Sequence, residues 1–235
     1  MLFRSSGQVL RDRWASIEHM TGYLTYATGG FPELHPGIVD ERVPVLSATL
    51  DTAAWMRPGY RWDPGMIQRI APATAKAGVW NCPTLWIWMD ESMQGLYPFG
   101  EPSPGSIPDS LQRGWWLRWG ELAARTVSAL QQAGAGILLG TDGSAGERIA
   151  EELQVLVKKG GLTTYQALAA GTRNAAAFTG TLDSTGTVAV NKRADLLLLN
   201  DNPLQDVTAV TSLAGVMVIG RWLTKIELAA ARSGP

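Results

Sequence analysis

The chain has 235 residues, of which 46% are apolar and 17% are charged, and its formal net charge at pH 7 is -1. This composition is typical of a globular protein with one substantial core. The lack of a basic surplus argues against nucleic acid or an anionic membrane as a partner, and the single cysteine, Cys82, excludes an internal disulfide framework.

Up to about residue 182 the chain alternates predicted strands with predicted helices. Three short apolar runs predict strands, at 14–24 (WASIEHMTGYL), 79–88 (VWNCPTLWIW) and 137–140 (ILLG). Helices are expected at 43–56, from Asp63-Pro64 to Gly78, at 110–133 and at 173–179, and Pro72 is expected to kink or shorten the second of these. Two further helices are expected after capping boxes, one formed by Ser144 with Glu147 and one by Thr163 with Gln166. Gly- and Pro-rich loops are expected at 25–42 and 89–109. The alternation predicts a parallel α/β sheet.

The tail of the chain is expected to be rich in β-structure. The segment 185–200 (TGTVAVNKRADLLLLN) predicts two strands across a turn at Asn191, and 216–223 (VMVIGRWL) predicts another strand. We therefore predict two parts, an α/β part over 1–182 and a small β-domain portion over 183–235.

Two of the predicted strands end in side chains that can bind a metal ion. His19 follows the run SIE, and Asp142 follows ILLGT. In parallel α/β proteins, functional sites collect at the carboxyl ends of the strands. Either residue alone is more simply explained as a structural histidine or a turn aspartate, so the metal-site hypothesis depends on the rest of the chain.

A series of motifs occurs in a fixed order: SIEHMTGYL, VWNCPTL, GTD, EEL, GLTTYQALAAGTRNAA, TGTV, KRADLLLLNDNPLQD and VMVIGR. This series resembles the C-terminal part of the amidohydrolase superfamily, in the branch with imidazolonepropionases and Xaa-Pro dipeptidases. SIEHMTGYL is similar to the sixth barrel strand of that branch, and VWNCPTL to the seventh. The resemblance covers essentially the whole chain. Asn191 departs from it, because the family usually has glycine before Lys192.

The resemblance implies a (β/α)8 barrel beside a small β-sandwich, of which this chain would hold about strands six to eight and part of the sandwich. It implies that His19 and Asp142 are metal ligands, and that Asp142 also takes a proton from the attacking water. The cofactor would be a divalent metal, with zinc favoured because imidazole and carboxylate suit it. The reaction would be hydrolysis of a C–N bond in an amide, cyclic amide or dipeptide. Tyr23 and the loop at 89–109 would line the substrate pocket.

The family's other ligands, a His-x-His pair, a carboxylated lysine and a further histidine, have no counterpart in this sequence. We therefore expect a barrel truncated at its N-terminus, which binds metal weakly and associates with itself through the open edge of the strand at 14–24. His35 lies in a Pro-rich loop and is more simply a surface histidine than a replacement ligand.

Several further residues are assigned supporting roles. Glu18 is expected to support the site without binding metal, Cys82 to be a small buried hydrophobe, and Arg193 with Asp195 to serve a turn of the β-domain. Of ten tryptophans, six lie between 80 and 119. They would either form an aromatic binding wall or fill the core.

Two alternatives to a hydrolase stay open at this point. One is a non-catalytic remnant that serves as a binding or interaction module, and the other is a carbohydrate-binding module, suggested by the tryptophans alone. The polar N-terminus lacks the apolar segment of a signal peptide and, with the single cysteine, indicates a cytoplasmic chain, although a longer protein could be exported. The expected partner is a small-molecule or dipeptide substrate.

Overall fold

The structure is a computed structural model that describes residues 15–20, 23, 64–89, 109–142 and 148–232. Its strands are β1 (Ser16–Glu18), β2 (Trp80–Cys82), β3 (Leu196–Leu199), β4 (Leu213–Val218) and β5 (Arg221–Thr224). Its helices are α1 (Pro64–Ala77), α2 (Leu85–Met89), α3 (Asp109–Gln132), α4 (Ile149–Lys158), α5 (Thr164–Gly171), α6 (Arg173–Phe178) and α7 (Lys225–Arg232), with a 3-10 helix at Val207–Thr211. Outside these residues lie the loop predicted at 25–42 with His35, the helix predicted at 43–56, most of the loop predicted at 89–109, and the capping box of Ser144 with Glu147.

The first part of the fold is a set of parallel segments. β1 pairs with β2 in parallel, from Ser16 opposite Trp80 to Glu18 opposite Cys82. On the other side of β2, Asn81 forms a parallel bridge with Ile137. The prediction of parallel pairing is therefore confirmed for these segments, while the strand predicted at 137–140 is reduced to this single bridge. The arrangement is a mixed α/β fold consistent with part of a barrel.

The helices cover this sheet with their apolar faces. The buried residues of the shared core include Ile67, Ile70 and Ala71 of α1, Ala123, Val127 and Leu130 of α3, and Leu153 and Leu156 of α4. Pro72 was expected to kink or shorten α1, yet the helix continues past it to Ala77. Pro72 is exposed, so water can hydrate the carbonyl that its missing N–H leaves free, while the buried face keeps the helix in place. Gly78 ends α1 at a φ of 68°, as predicted.

The segment 79–88 is only partly a strand. β2 ends at Cys82, and after Pro83 and Thr84 the chain enters the short helix α2. The strand predicted to run on through the tryptophans is therefore wrong. Pro83 has no N–H for a further ladder bond, and Thr84 adopts a left-handed conformation with a φ of 48° that turns the chain out of the sheet.

The tail forms an antiparallel sheet in the order β3–β4–β5. The segment 216–223 is not one strand but a hairpin, because Ile219 and Gly220 have φ angles of 50° and 79° that form a tight turn between β4 and β5. The first of the two strands predicted in 185–200 is absent, and Lys192 instead donates to the carbonyls of Leu182 and Thr185 across that segment. The division into two domains at residue 182 stays a prediction.

Two local predictions in the second half are confirmed. Thr163 and Gln166 form both hydrogen bonds of a capping box at the start of α5, and Asn191 has the left-handed φ expected of its turn, 67°. The helix α7 was not predicted. Within the described residues, no helix is long and apolar enough to cross a bilayer.

Candidate metal centre

His19 and Asp142 lie side by side at the carboxyl end of the parallel segments. His19 directly follows β1, and Asp142 follows the segment that bridges to Asn81. Their side chains approach within 3.6 Å, measured from His19 Nε2 to Asp142 Oδ2. The parallel direction of the segments causes this convergence, since it brings their carboxyl ends to one edge. The Asp142 side chain is 60% exposed and that of His19 is 21% exposed, so the pair is open to solvent.

The second ring nitrogen of His19 is held by Thr84. His19 Nδ1 lies 2.7 Å from Thr84 Oγ1, and the Thr84 hydroxyl donates its only proton to the carbonyl of Pro83 at 2.8 Å. With that direction at Thr84, the threonine oxygen accepts from the ring, which corresponds to the tautomer of His19 with its proton on Nδ1. In the neutral ring, Nε2 therefore carries a free lone pair, and this is the nitrogen that faces Asp142.

This pair fits a metal ion. Two ligands about 2.1 Å from one tetrahedral ion lie about 3.4 Å apart, close to the 3.6 Å between His19 Nε2 and Asp142 Oδ2. An imidazole whose other nitrogen bonds a neighbouring group is the usual form of a histidine ligand. Among the described residues, no cluster of three or more His, Cys, Asp or Glu side chains forms a complete site. The pair is thus a partial donor set of the kind that zinc prefers.

Trp86 joins the two sides of this site. Its indole N–H donates to the carbonyl of Thr141, the residue before Asp142, at 2.6 Å. The guanidinium of Arg148 lies 5.3 Å from the centre of the Trp86 ring, within the range of a cation–π contact. Since Trp86 follows Thr84 by two residues, one short segment contacts both the His19 and the Asp142 side of the centre.

Glu152 is a functional candidate that the sequence analysis did not single out. It lies on α4 with 0% of its surface exposed, and its Oε2 accepts the backbone N–H of Trp86 at 2.7 Å. Burial raises the pKa of this carboxyl to about 7, although the N–H groups of Trp86 and Leu85 oppose the shift. A signal was present in the sequence, because Glu152 interrupts the apolar stripe of Ile149, Leu153 and Leu156.

Tyr23, predicted to bind substrate, is fully buried. Its hydroxyl donates to Asn81 Oδ1 at 2.6 Å and contacts Thr74 Oγ1 at 3.1 Å, and burial raises the pKa of the phenol. These are the contacts of a core residue that ties β2 to α1, and they give the substrate-binding role no support. That role stays a prediction.

The other residues weighed in the sequence have supporting contacts. Glu18 Oε1 accepts the hydroxyl of Ser16 at 2.7 Å. Burial and the nearby carboxylates, Glu18 foremost, raise the pKa of the Cys82 thiol, which disfavours the reactive thiolate. Arg193 pairs with Asp195, whose other oxygen accepts the N–H of Ile219 at 2.7 Å, so both stabilise the turn between β4 and β5.

The tryptophans with described side chains fill the core more than they line a surface. Trp88 and Trp119 are buried with ring centres 5.9 Å apart, and Trp80 packs edge-on against Phe178 at 6.2 Å. The side chains of Trp115 and Trp116 lie outside the described part. The described rings thus favour core packing over an aromatic binding wall.

The sequence of the chain matches a known protein family. The model of the amidohydrolase family matches residues 55–223. An ochratoxinase of Aspergillus niger is 38% identical over 96 residues, which are 39% of this chain and 20% of the relative. The matched stretch thus spans only a fifth of that relative.

Solved structures share the fold at low sequence identity. The structure of the A. niger ochratoxinase matches with a TM-score of 0.61 and 20% identity, over 93% of this chain and 39% of that one. A Xaa-Pro dipeptidase with bound methionine matches with a TM-score of 0.60 and 16% identity, over 93% and 42%. A molinate hydrolase matches with a TM-score of 0.56 and 18% identity, over 98% and 42%. This chain therefore spans about two fifths of the length of each of these structures.

Proposed function

Because this chain belongs to the amidohydrolase family, we propose that it serves in metal-dependent hydrolysis of C–N bonds in amides, cyclic amides or dipeptides. One observation carries the proposal: His19 Nε2 and Asp142 Oδ2 converge to 3.6 Å, while the opposite ring nitrogen, Nδ1, lies 2.7 Å from Thr84 Oγ1. The relatives support the reaction class, since they include a dipeptidase and a molinate hydrolase.

In this proposal His19 and Asp142 would hold a divalent metal, with zinc the first choice. When bound, such an ion lowers the pKa of water towards about 7 and polarises a carbonyl oxygen. Thr84 keeps Nε2 of His19 as a lone-pair donor. The Asp142 carboxylate accepts a proton from the attacking water and returns it to the leaving nitrogen, which a carboxylate beside the reacting atoms can do. The exposure of Asp142 leaves room for the substrate at this edge.

The expected affinity of the chain for zinc is low. A catalytic zinc usually has three protein ligands and a water, and the described residues bring two together here. We therefore expect weak zinc binding and slow hydrolysis by the 235-residue chain, together with self-association through the edge of β1 that pairs with no other strand among the described residues.

Zinc titration of the purified chain by calorimetry tests this proposal, followed by hydrolysis of a panel of dipeptides. The variants are His19→Asn and Asp142→Asn, with His35→Asn as the control because the chain has two histidines. We expect His19→Asn and Asp142→Asn to weaken zinc binding at least about 100-fold, and the control to leave it unchanged. Zinc binding that survives both substitutions, or a folded chain that binds no zinc, would overturn the proposal and favour the non-catalytic binding module.

A further inference from the structure

The buried carboxyl group of Glu152 contacts the chain segment beside the candidate metal centre, and the proposed reaction does not use this group. The Glu152 side chain is excluded from solvent between α4 and the start of α2. Its Oε1 has no hydrogen-bond partner among the described residues, whereas Oε2 accepts the backbone N–H of Trp86. A buried carboxyl is costly, so this position would normally hold an apolar side chain.

The backbone N–H of Trp86, which Glu152 accepts, belongs to the segment 84–86. This segment supports both candidate ligands. Thr84, at the start of that segment, forms a hydrogen bond with His19, with 2.7 Å between Thr84 Oγ1 and His19 Nδ1. Trp86 donates its indole N–H to the carbonyl of Thr141 at 2.6 Å, next to Asp142. A displacement of the segment would therefore move both sides of the centre together.

The segment also needs an external restraint. Thr84 has a φ of 48°, and such a conformation is unfavourable for a β-branched residue unless its surroundings fix it. The first N–H groups of α2 have no acceptor within their own helix. The Glu152 carboxyl supplies one from α4, 66 residues further along the chain, and so acts as the cap of α2.

We propose that Glu152 is a positioning residue of the candidate metal centre: by capping α2 it fixes Thr84 and Trp86, and through them the separation of His19 and Asp142. The link to catalysis rests on the function proposed above. The link to the position of His19 does not, because the ring of His19 can be observed without metal or substrate.

The test replaces the acceptor while keeping the volume. Glu152→Gln retains a carbonyl oxygen for the Trp86 N–H, and Glu152→Met fills the same space without one. Glu151→Gln is the matched control, since Glu151 is the neighbouring, partly exposed residue that pairs with Arg148. The imidazole ¹H–¹⁵N spectrum reports His19 directly, because the chain has two histidines and His35→Asn assigns them. Zinc affinity is the second readout, and thermal unfolding shows that each variant is folded.

We expect Glu152→Gln and Glu151→Gln to keep the Nδ1–H form of His19 and the zinc affinity. Glu152→Met should shift His19 towards a mixture of ring forms and weaken zinc binding about 10-fold or more while the chain stays folded. A folded Glu152→Met with an unchanged His19 spectrum would overturn the proposal, because a merely structural Glu152 predicts that result. If Glu152→Met does not fold, Trp86→Phe decides. It removes the indole bond to Thr141 and alters the contact with Arg148, while the backbone N–H that Glu152 accepts remains. An unchanged Nε2 resonance of His19 would then show that this segment does not position the centre, and would overturn the proposal. If the wild-type chain binds no zinc, the function proposed above fails, and the His19 spectrum still decides the role of Glu152.

Discussion

Replacing Glu152 by glutamine should change how the stability of the chain depends on pH. Burial raises the pKa of this carboxyl from 4.5 to about 7. Between these pH values the folded chain keeps a proton that the unfolded chain has lost, so the stabilising contribution is fully present below pH 4.5 and is lost as the pH rises through about 7. A shift of this size corresponds to about 3 kcal/mol of unfolding free energy. Glutamine has no such proton, and its carbonyl oxygen still accepts the Trp86 N–H.

Urea unfolding followed by circular dichroism at pH 4.5, 6, 7 and 8 measures this effect. The stability difference between the wild-type chain and Glu152→Gln should move by about 3 kcal/mol across the series, with the variant the more stable at pH 8. The titrating groups that both chains share cancel in the difference. Glu151→Gln should run parallel to the wild type. Parallel curves for Glu152→Gln would show that Glu152 does not hold a proton in the folded chain, and the reasoning from burial would be wrong.

Three further predictions concern other parts of the molecule. Thr84→Val removes the oxygen that accepts the ring proton of the candidate ligand, so zinc affinity should fall about 10- to 100-fold in calorimetry; unchanged affinity would show that this bond does not orient the ring. Leu156 is buried in the core, so Leu156→Ala should lower the free energy of unfolding, measured with urea, by about 2–5 kcal/mol. Leu117 on α3 is 48% exposed, so Leu117→Ala should change this free energy by no more than about 0.5 kcal/mol. A Cβ at Gly140 would lie 2.3 Å from the sulfur of Cys82, so Gly140→Ala should lower the free energy of unfolding by about 1–3 kcal/mol. Adding Cys82→Ala removes the sulfur and should restore part of the lost stability. Additive losses in the double variant would exclude the clash.

The sequence predicted the features that depend on local patterns. The apolar runs indicated the parallel segments, the spacing of Thr163 and Gln166 indicated a capping box, and both of its hydrogen bonds are present. Asn191 has the left-handed conformation that its turn required. For the capping box and the turn, the residues that decide the structure are neighbours in the chain.

What the sequence did not predict depends on distant residues. The tryptophans after Cys82 favour a strand by propensity, but α2 forms there with its cap supplied by Glu152, 66 residues away. The contact of Thr84 with His19 joins residues 65 apart, and the motifs gave no sign of it. Glu152 itself could have been recognised, since a charged residue within an apolar helical stripe needs a reason to be buried.

The left-handed backbone conformations of His19 and Asp142 limit how the proposed metal centre could be redesigned. His19 and Asp142 have φ angles of 59° and 49°, and Asn, Asp and His are the side chains that tolerate this region best after glycine. Replacing either by Cys or Glu to favour another metal would add about 1–2 kcal/mol of backbone strain before any change in coordination. In the proposed metal centre, metal preference would therefore be easier to change through Trp86, whose indole contacts the residue before Asp142, than through the two side chains themselves.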